Sequence, residues 1–227
     1  MFEAFIGSVE GPYHRANNIP NQDAVSFWEG EDVFFAALAD GAGSLPHSAD
    51  GAHDAVSTSV NTLRSSKKGR DDFALVEYAF LVAEETVKKR EKYKNYGSTL
   101  VASLLRKDGT AVVGCIGDSF ALVRKTDGSY EFVTGQPLGE FANQTELLTS
   151  DKPNLVVKTF QDVSGIALSS DGLEGVGVKD GKGFDGFWNG IFHQADQGIL
   201  QVDRVFRWLE HENKIVDDTT LLVVVPK

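Results

Sequence analysis

The chain has 227 residues, 41% of them hydrophobic and 24% charged, a globular composition that excludes intrinsic disorder. Lys+Arg 22 against Asp+Glu 33 leaves a net charge of −11, which argues against nucleic acid and anionic membrane as partners because both would be repelled. The single cysteine, Cys115, rules out an internal disulfide and a cysteine-based zinc site. No apolar stretch approaches the roughly 20 residues of a membrane span. The opening Met-Phe-Glu-Ala-Phe lacks a basic segment and a cleavage site, so a cytoplasmic protein is expected. Without a repeat, a linker or a low-complexity tract, the expectation is one domain over residues 1–227.

Short apolar runs at 2–9, 24–28 and 33–39 read as strands bounded by Gly, Asp or Asn. Residues 48–64 follow with Ala52, Ala55, Val56, Val60 and Leu63 at helical spacing. A second helix is predicted over 71–95, with Asp71 and Asp72 as caps and Phe73, Val76, Phe80, Ala83 and Val87 on one stripe. Its basic end, Lys88 to Lys94, suits the negative end of the helix dipole and reads as solvated. Strands are then expected at 99–105, 110–116, 120–125, 130–133, 155–160 and 165–169. Cys115 falls inside one of them and reads as an inert buried thiol. Phe184, Phe187, Trp188 and Phe192 are expected in core packing. A helix over 198–212 and a strand over 219–225 complete the chain. Connections too short for repeated βαβ units favour α+β architecture, antiparallel sheets stacked and flanked by helices.

The chemistry is in the aspartates at the strand ends. Asp40 follows Phe-Phe-Ala-Ala-Leu-Ala, Asp118 follows Val-Val-Gly-Cys-Ile-Gly, and Asp171 follows Ile-Ala-Leu-Ser-Ser. Asp23 and the pair Asp217-Asp218 each lead into a strand. For any one of them a plain turn is the simpler reading. Gathered on one sheet edge, they would repel and could not all stay ionised unaided. Oxygen ligands with almost no His or Cys are what Mg²⁺ or Mn²⁺ uses, and Gly41 leaves its carbonyl accessible to such an ion.

These flanks resemble the metal-dependent serine/threonine protein phosphatases of type 2C. Asn21-Gln22-Asp23-Ala24, Asp40-Gly41-Ala42-Gly43-Ser44, Gly97-Ser98-Thr99-Leu100, Gly117-Asp118-Ser119, Ser170-Asp171-Gly172-Leu173 and Asp217-Asp218-x-Thr220 stand in that family's order. Gly11-Pro12-Tyr13-His14, Pro20-x-Gln22-Asp23 and the run Gly139 to Thr145 resemble a compact bacterial branch. The resemblance implies two face-to-face antiparallel sheets between helices, a four-layer αββα sandwich. It implies two metal ions, Mg²⁺ or Mn²⁺: Asp40 bridging them, Gly41 lending its carbonyl, Asp171 and Asp217 holding one each, and Asp23 acting through water. A third ion would use Asp118. The implied reaction is hydrolysis of phosphoserine or phosphothreonine by a metal-activated water, in line at phosphorus. The implied partner is a phosphorylated protein, the target of a serine/threonine kinase in a signalling pathway.

Three departures qualify the resemblance. Gly175, beside Glu174, stands where an acidic third-metal ligand is common; Ala42 stands where animal members carry a general-acid histidine; Asn18 stands where a phosphate-binding arginine is usual. His14 or Arg15 is therefore expected to take over phosphate binding, and both join the candidate catalytic residues with Asp40, Asp171 and Asp217. His47 and His53 read as surface residues, and 135–154 as a connection where a mobile flap would border the cleft. Two rival readings are a pseudophosphatase acting as a binding module and a same-fold phosphatase of small metabolites. With no heptad and no exposed apolar stripe, a monomer is expected.

Overall fold

The computed structural model describes residues 1–66, 71–136 and 145–227. In chain order its elements are β1 (Phe2–Val9), α1 (Pro12–Asn17), β2 (Ala24–Glu29), β3 (Val33–Ala39), α2 (Ser48–Ser65), α3 (Asp72–Lys88) and β4 (Leu100–Arg106). Then come β5 (Ala111–Ile116), β6 (Phe120–Lys125), β7 (Tyr130–Thr134), β8 (Val156–Phe160), β9 (Val163–Ser169) and α4 (Glu174–Gly177). The chain closes with β10 (Val178–Lys179), β11 (Lys182–Gly183), α5 (Asp185–Asp196), α6 (Val202–His211) and β12 (Thr219–Pro226).

Two five-stranded sheets carry the fold, in the orders β1-β12-β9-β6-β7 and β2-β3-β4-β5-β8, with every pairing antiparallel. Strand alternation decides what each residue packs against. On β3, Phe34, Ala36 and Leu38 face the opposite sheet; with Val101 and Val113 of their own sheet they meet Ile166 and Leu222 across the interface. The intervening Phe35, Ala37 and Ala39 lie under α2 and α3, against Ala52, Val56, Val76 and Phe80. Phe120, Leu122, Ala167 and Val223, on the outer face of the other sheet, pack beneath α5 and α6 against Trp188, Phe192, Phe206 and Leu209. Both sheets are thus apolar on both faces, and the layers are αββα. Cys115 is buried between the sheets, where burial pushes its thiol pKa up.

Asp71 caps α3 as expected, its side chain accepting from the Ala74 N–H at 2.8 Å. The helix stops at Lys88 instead of running to 95, because the next residues are held by tertiary contacts. Lys92 takes φ 55°, Tyr93–Tyr96 form a 3₁₀ turn, and the His47 N–H reaches Asn95 O at 3.1 Å. That turn is pressed so tightly on α2 that a Cβ on Gly51 would meet Tyr96 O at 2.0 Å. Helix α5 was not expected as a helix, and its aromatics divide. Trp188 and Phe192 are buried as core residues, whereas Phe184, just ahead of the helix, is 43% exposed.

Candidate metal centre

The strand ends converge on one cleft of about 430 Å³, lined by Asp40, Asp118, Asp171, Asp217, Asp218 and His14, together with residues 41–44 and Thr99, Thr145 and Leu147. Both sheets contribute. Asp40 ends β3 in one sheet, whereas Asp171 follows β9 and Asp217-Asp218 precede β12 in the other; Asp118 sits in the turn where the chain passes from β5 to β6.

The residues around each aspartate explain the motifs. The Asp40 N–H donates to Thr99 Oγ1 at 2.9 Å, and the Thr99 N–H returns a bond to Asp40 O at 2.9 Å. The Ala42 N–H reaches Gly97 O at 3.0 Å, and Thr99 Oγ1 lies 2.6 Å from Ser119 Oγ. Gly97 to Thr99 and Ser119 therefore clamp the turn that carries Asp40. Gly41 is required there, since a Cβ would stand 2.8–2.9 Å from Gln22 O and the Ser48 backbone. Gly117 adopts φ 86°, a left-handed conformation costly for other residues, and so aims Asp118 into the cleft. Thr145 Oγ1 donates to Asp118 Oδ2 at 2.5 Å.

Carboxylate oxygens of Asp40, Asp118 and Asp171 lie within 4.8 Å of one another. Asp23 is buried behind them, with Oδ2 accepting from Ser170 Oγ at 2.8 Å and Oδ1 making no hydrogen bond of its own among the described residues. Burial raises the pKa of Asp23 to about 7, with Asp218 and Asp171 adding repulsion against the hydroxyls of Ser170 and Thr220. Asp171 is pushed up to about 6, first by burial and then by Asp118, and Asp40 well above the carboxylate range by burial and its acidic neighbours. Among the described residues no Lys or Arg lines this cleft to offset the charge. Closely spaced oxygen donors, a buried orphan oxygen and uncompensated negative charge together fit a hard divalent cation.

Asp217 lines the same cleft but stands apart from that triplet, in a second cluster with His14 and Asp218. Sequence reasoning paired Asp217 with Asp40 and Asp171 and set Asp118 aside for a third ion; the structure groups Asp118 with Asp40 and Asp171. Adjacent residues of an extended chain point to opposite sides. Asp217 is accordingly exposed, and Asp218 is buried. Asp218, unassigned from sequence, accepts from the Gly11 N–H at 2.7 Å, the Gln22 N–H at 2.7 Å and His14 Nδ1 at 2.8 Å. It fixes the segment that leads to Asp23 and turns the His14 ring, itself buried, along the cleft wall.

Arg15 does not reach the cleft. Its guanidinium donates to Glu10 O at 2.8 Å and to Glu210 Oε1 at 2.5 Å, on the far side of α1. Asn18 is exposed in the left-handed turn that ends α1. His47 and His53 are exposed, as expected. Gly175 faces open space and does not line the cleft, whereas Glu174, exposed beside it, is close enough to raise Asp171. Of the expected flap, residues 137–144 lie outside the described residues. Thr145 was legible only within a motif, and Ser170 only as the flank of Asp171.

A metal-dependent phosphatase is the class that this sandwich and its acidic cleft define. The model of the protein phosphatase 2C family matches residues 10–210, and the chain belongs to that family. Among curated proteins none matches. The fold is similar to that of the serine/threonine phosphatase Stp1 from Staphylococcus aureus, at 19% identity and TM-score 0.67, covering 100% of this chain and 96% of that one. It is also similar to RsbX in complex with magnesium, at 13% identity and TM-score 0.61 over 100% and 96% of the two chains. The phosphatase domain of the cell fate determinant SpoIIE from Bacillus subtilis matches at 17% identity and TM-score 0.57 over 99% and 92%. Among the described residues no helix is long and apolar enough to cross a membrane.

Proposed function

We propose that the chain is a catalytically active, Mg²⁺- or Mn²⁺-dependent phosphatase of phosphoserine and phosphothreonine in proteins. The observation that carries this reading is the Asp40, Asp118 and Asp171 triplet backed by the orphan oxygen of Asp23. Asp40, Asp118 and Asp171 would hold the ions, with Asp217 joining from the rim and the Gly41 carbonyl beside Asp40. Asp23 would act from behind, through water. When bound, two such ions supply an activated water and neutralise the phosphoryl charge.

The chain's own residues supply the rest. The Gly97–Thr99 clamp holds the Asp40 backbone, which would limit the reorganisation needed on binding. Asp218 accepts at Nδ1 of His14, which leaves Nε2 as the ring atom free to meet a phosphate oxygen or the departing serine oxygen. With Arg15 paired to Glu210, His14 takes the phosphate-binding part that the sequence left open between the two. A pseudophosphatase would keep the fold and the triplet but not the turnover.

Hydrolysis of p-nitrophenyl phosphate with and without Mn²⁺, beside Asp40→Asn, tests the reading. Turnover that needs Mn²⁺ and vanishes in the variant supports it; no turnover in a folded, metal-binding protein favours the pseudophosphatase. Phosphopeptides against phosphorylated metabolites at equal concentration then decide the substrate class.

A further inference from the structure

Outside the acidic cleft, α5 and α6 leave a groove between them. It consists of two adjoining depressions of about 380 and 370 Å³ that share Gly186, Phe187 and Trp208. The first runs on to Val176, Val178 and Phe184; the second to Gly190, Ile191 and Val205. Trp208 is 57% exposed on its wall, and Phe184 stands open at one end. Exposed aromatics gathered along one apolar trough are not the scattered hydrophobics of an ordinary surface.

Two further observations give the groove a use. A Cβ on Gly190 would meet no heavy atom within 4 Å, so nothing in the fold demands glycine in the middle of α5. A helix-interior glycine costs stability relative to alanine, and what this one leaves is an unobstructed trough. The charged side chains lining the groove, Lys179 and Arg204, are both basic in a chain of net charge −11. Among the described residues neither is paired with a carboxylate: Lys179 lies over the Phe184 ring, and Arg204 enters no ion pair.

We propose that this groove docks an amphipathic helix of a partner protein, apolar on the face that enters and acidic along its flanks. The groove's longer walls are helices whose backbone groups are already paired, and β10, its one strand, is two residues long and offers an extended peptide almost no edge; a helix brings its own main-chain bonds. The two adjoining depressions each take an apolar side chain of the docked helix, while Lys179, lining one, and Arg204, lining the other, meet its acids. A second copy of this chain is the poorer occupant, since two molecules of net charge −11 repel. The inference goes beyond the proposed phosphatase activity and does not rest on it.

The test is fluorescence anisotropy with a labelled helical peptide carrying Leu at i, i+4 and i+7 and Glu on both flanks. A matched peptide with Lys in place of Glu is the control. The Glu peptide is expected to bind at least about tenfold more tightly than the Lys peptide. Gly190→Trp, which fills the trough, and Arg204→Glu, which inverts its rim, should each weaken binding about tenfold while leaving thermal unfolding and p-nitrophenyl phosphate turnover unchanged. Arg204→Glu, a surface change, keeps the test valid if Gly190→Trp fails to fold. Equal affinity for both peptides, or binding indifferent to Arg204→Glu, overturns the proposal. So does sedimentation that finds wild-type dimers broken by Arg204→Glu, since the occupant would then be a second copy.

Discussion

Replacing Asp218 should cost more stability than replacing any aspartate that faces the cleft. The carboxylate is 3% exposed and accepts three hydrogen bonds, from the backbone of Gly11 and Gln22 and from the His14 ring. Bonds to an ionised acceptor are worth ~1.5–3 kcal/mol each, and a buried donor left alone costs ~1–3 kcal/mol. The three do not add in full, because the segment between β1 and β2 relaxes once untied. Asp218→Ala should therefore lose about 3–5 kcal/mol, the range for breaking a buried charged network. Asp218→Asn is a finer probe. Oδ1 serves Gly11 alone and Oδ2 serves both Gln22 and His14, so the amide nitrogen settles against the Gly11 N–H and one backbone donor is orphaned. That should cost about 1–3 kcal/mol.

The assay is urea unfolding at pH 7 in excess EDTA, repeated with Mg²⁺, with Mn²⁺ affinity titrated on the Ala variant, in which Gln22 is untied. Untying Gln22 loosens the backbone that positions Asp23 and Gly41, so affinity should fall about tenfold, as for other residues that orient ligands from behind. His14→Ala removes one of the three bonds and should cost less than Asp218→Ala. A loss under about 1 kcal/mol in Asp218→Ala, or equal losses in the two alanine variants, would refute the reasoning.

Without metal, the protein should lose stability as pH rises from 5 to 8. Folded Asp23 and Asp171 keep their protons to about 7 and about 6, against 3.8 for an unperturbed carboxyl, so in that range the folded state binds more protons than the unfolded one. The contribution is complete below about 4 and disappears through 6 to 7; Asp108 and Asp127, whose pKa values are lowered, act only at the acid end. Urea midpoints in EDTA at pH 5, 6, 7 and 8 check the slope, and Mg²⁺ should flatten it. Asp40→Asn should abolish Mn²⁺-dependent turnover yet raise metal-free stability at pH 8, because it removes one charge from the repelling group. Arg15→Ala should leave phosphopeptide kcat/KM within about twofold, since its exposed pair with Glu210 is worth little. His14→Ala should lower it at least about tenfold; equal effects of the two would return the assignment to the open choice that the sequence left. Gly41→Ala should cost about 1–3 kcal/mol by driving Gln22 O and Ser48 apart, read as a lower melting temperature.

The sandwich was legible because its strands are apolar on both faces and end in turn residues, and because the stripe of α2 keeps the helical period. The carboxylates were legible by the same means: a strand end is a place, and six of them imply an edge. Helix α5 was not, since Gly186 and Gly190 weaken its propensity and leave only a cluster of aromatics to read. Helix α1, six residues long, has no period to detect. Which side of α1 its basic residues would take was likewise hidden. Arg15 is drawn to Glu210, 195 residues away, a pairing that only the packed α6 creates.

Asp217 and Asp218 show most clearly how one residue type takes two parts. The doublet leads into β12, so one carboxylate must face out and the other in. The inward one survives burial because two backbone N–H groups and a histidine compensate it. Asp23, also buried, has only the hydroxyls of Ser170 and Thr220 to lower its pKa and, among the described residues, no backbone N–H or cation, and it is Asp23 that burial pushes to about 7. The fold thus satisfies the carboxylate that holds the loop in place and leaves unsatisfied the one behind the cleft. A buried acid left short of donors behind a cleft lined by other carboxylates is a position that a cation would complete. The test of that difference is the response of each to metal. Mg²⁺ should offset the pH-dependent penalty at Asp23 and leave the cost of Asp218→Ala unchanged. If Mg²⁺ instead rescued Asp218→Ala while leaving the pH slope intact, the two parts would have to be exchanged.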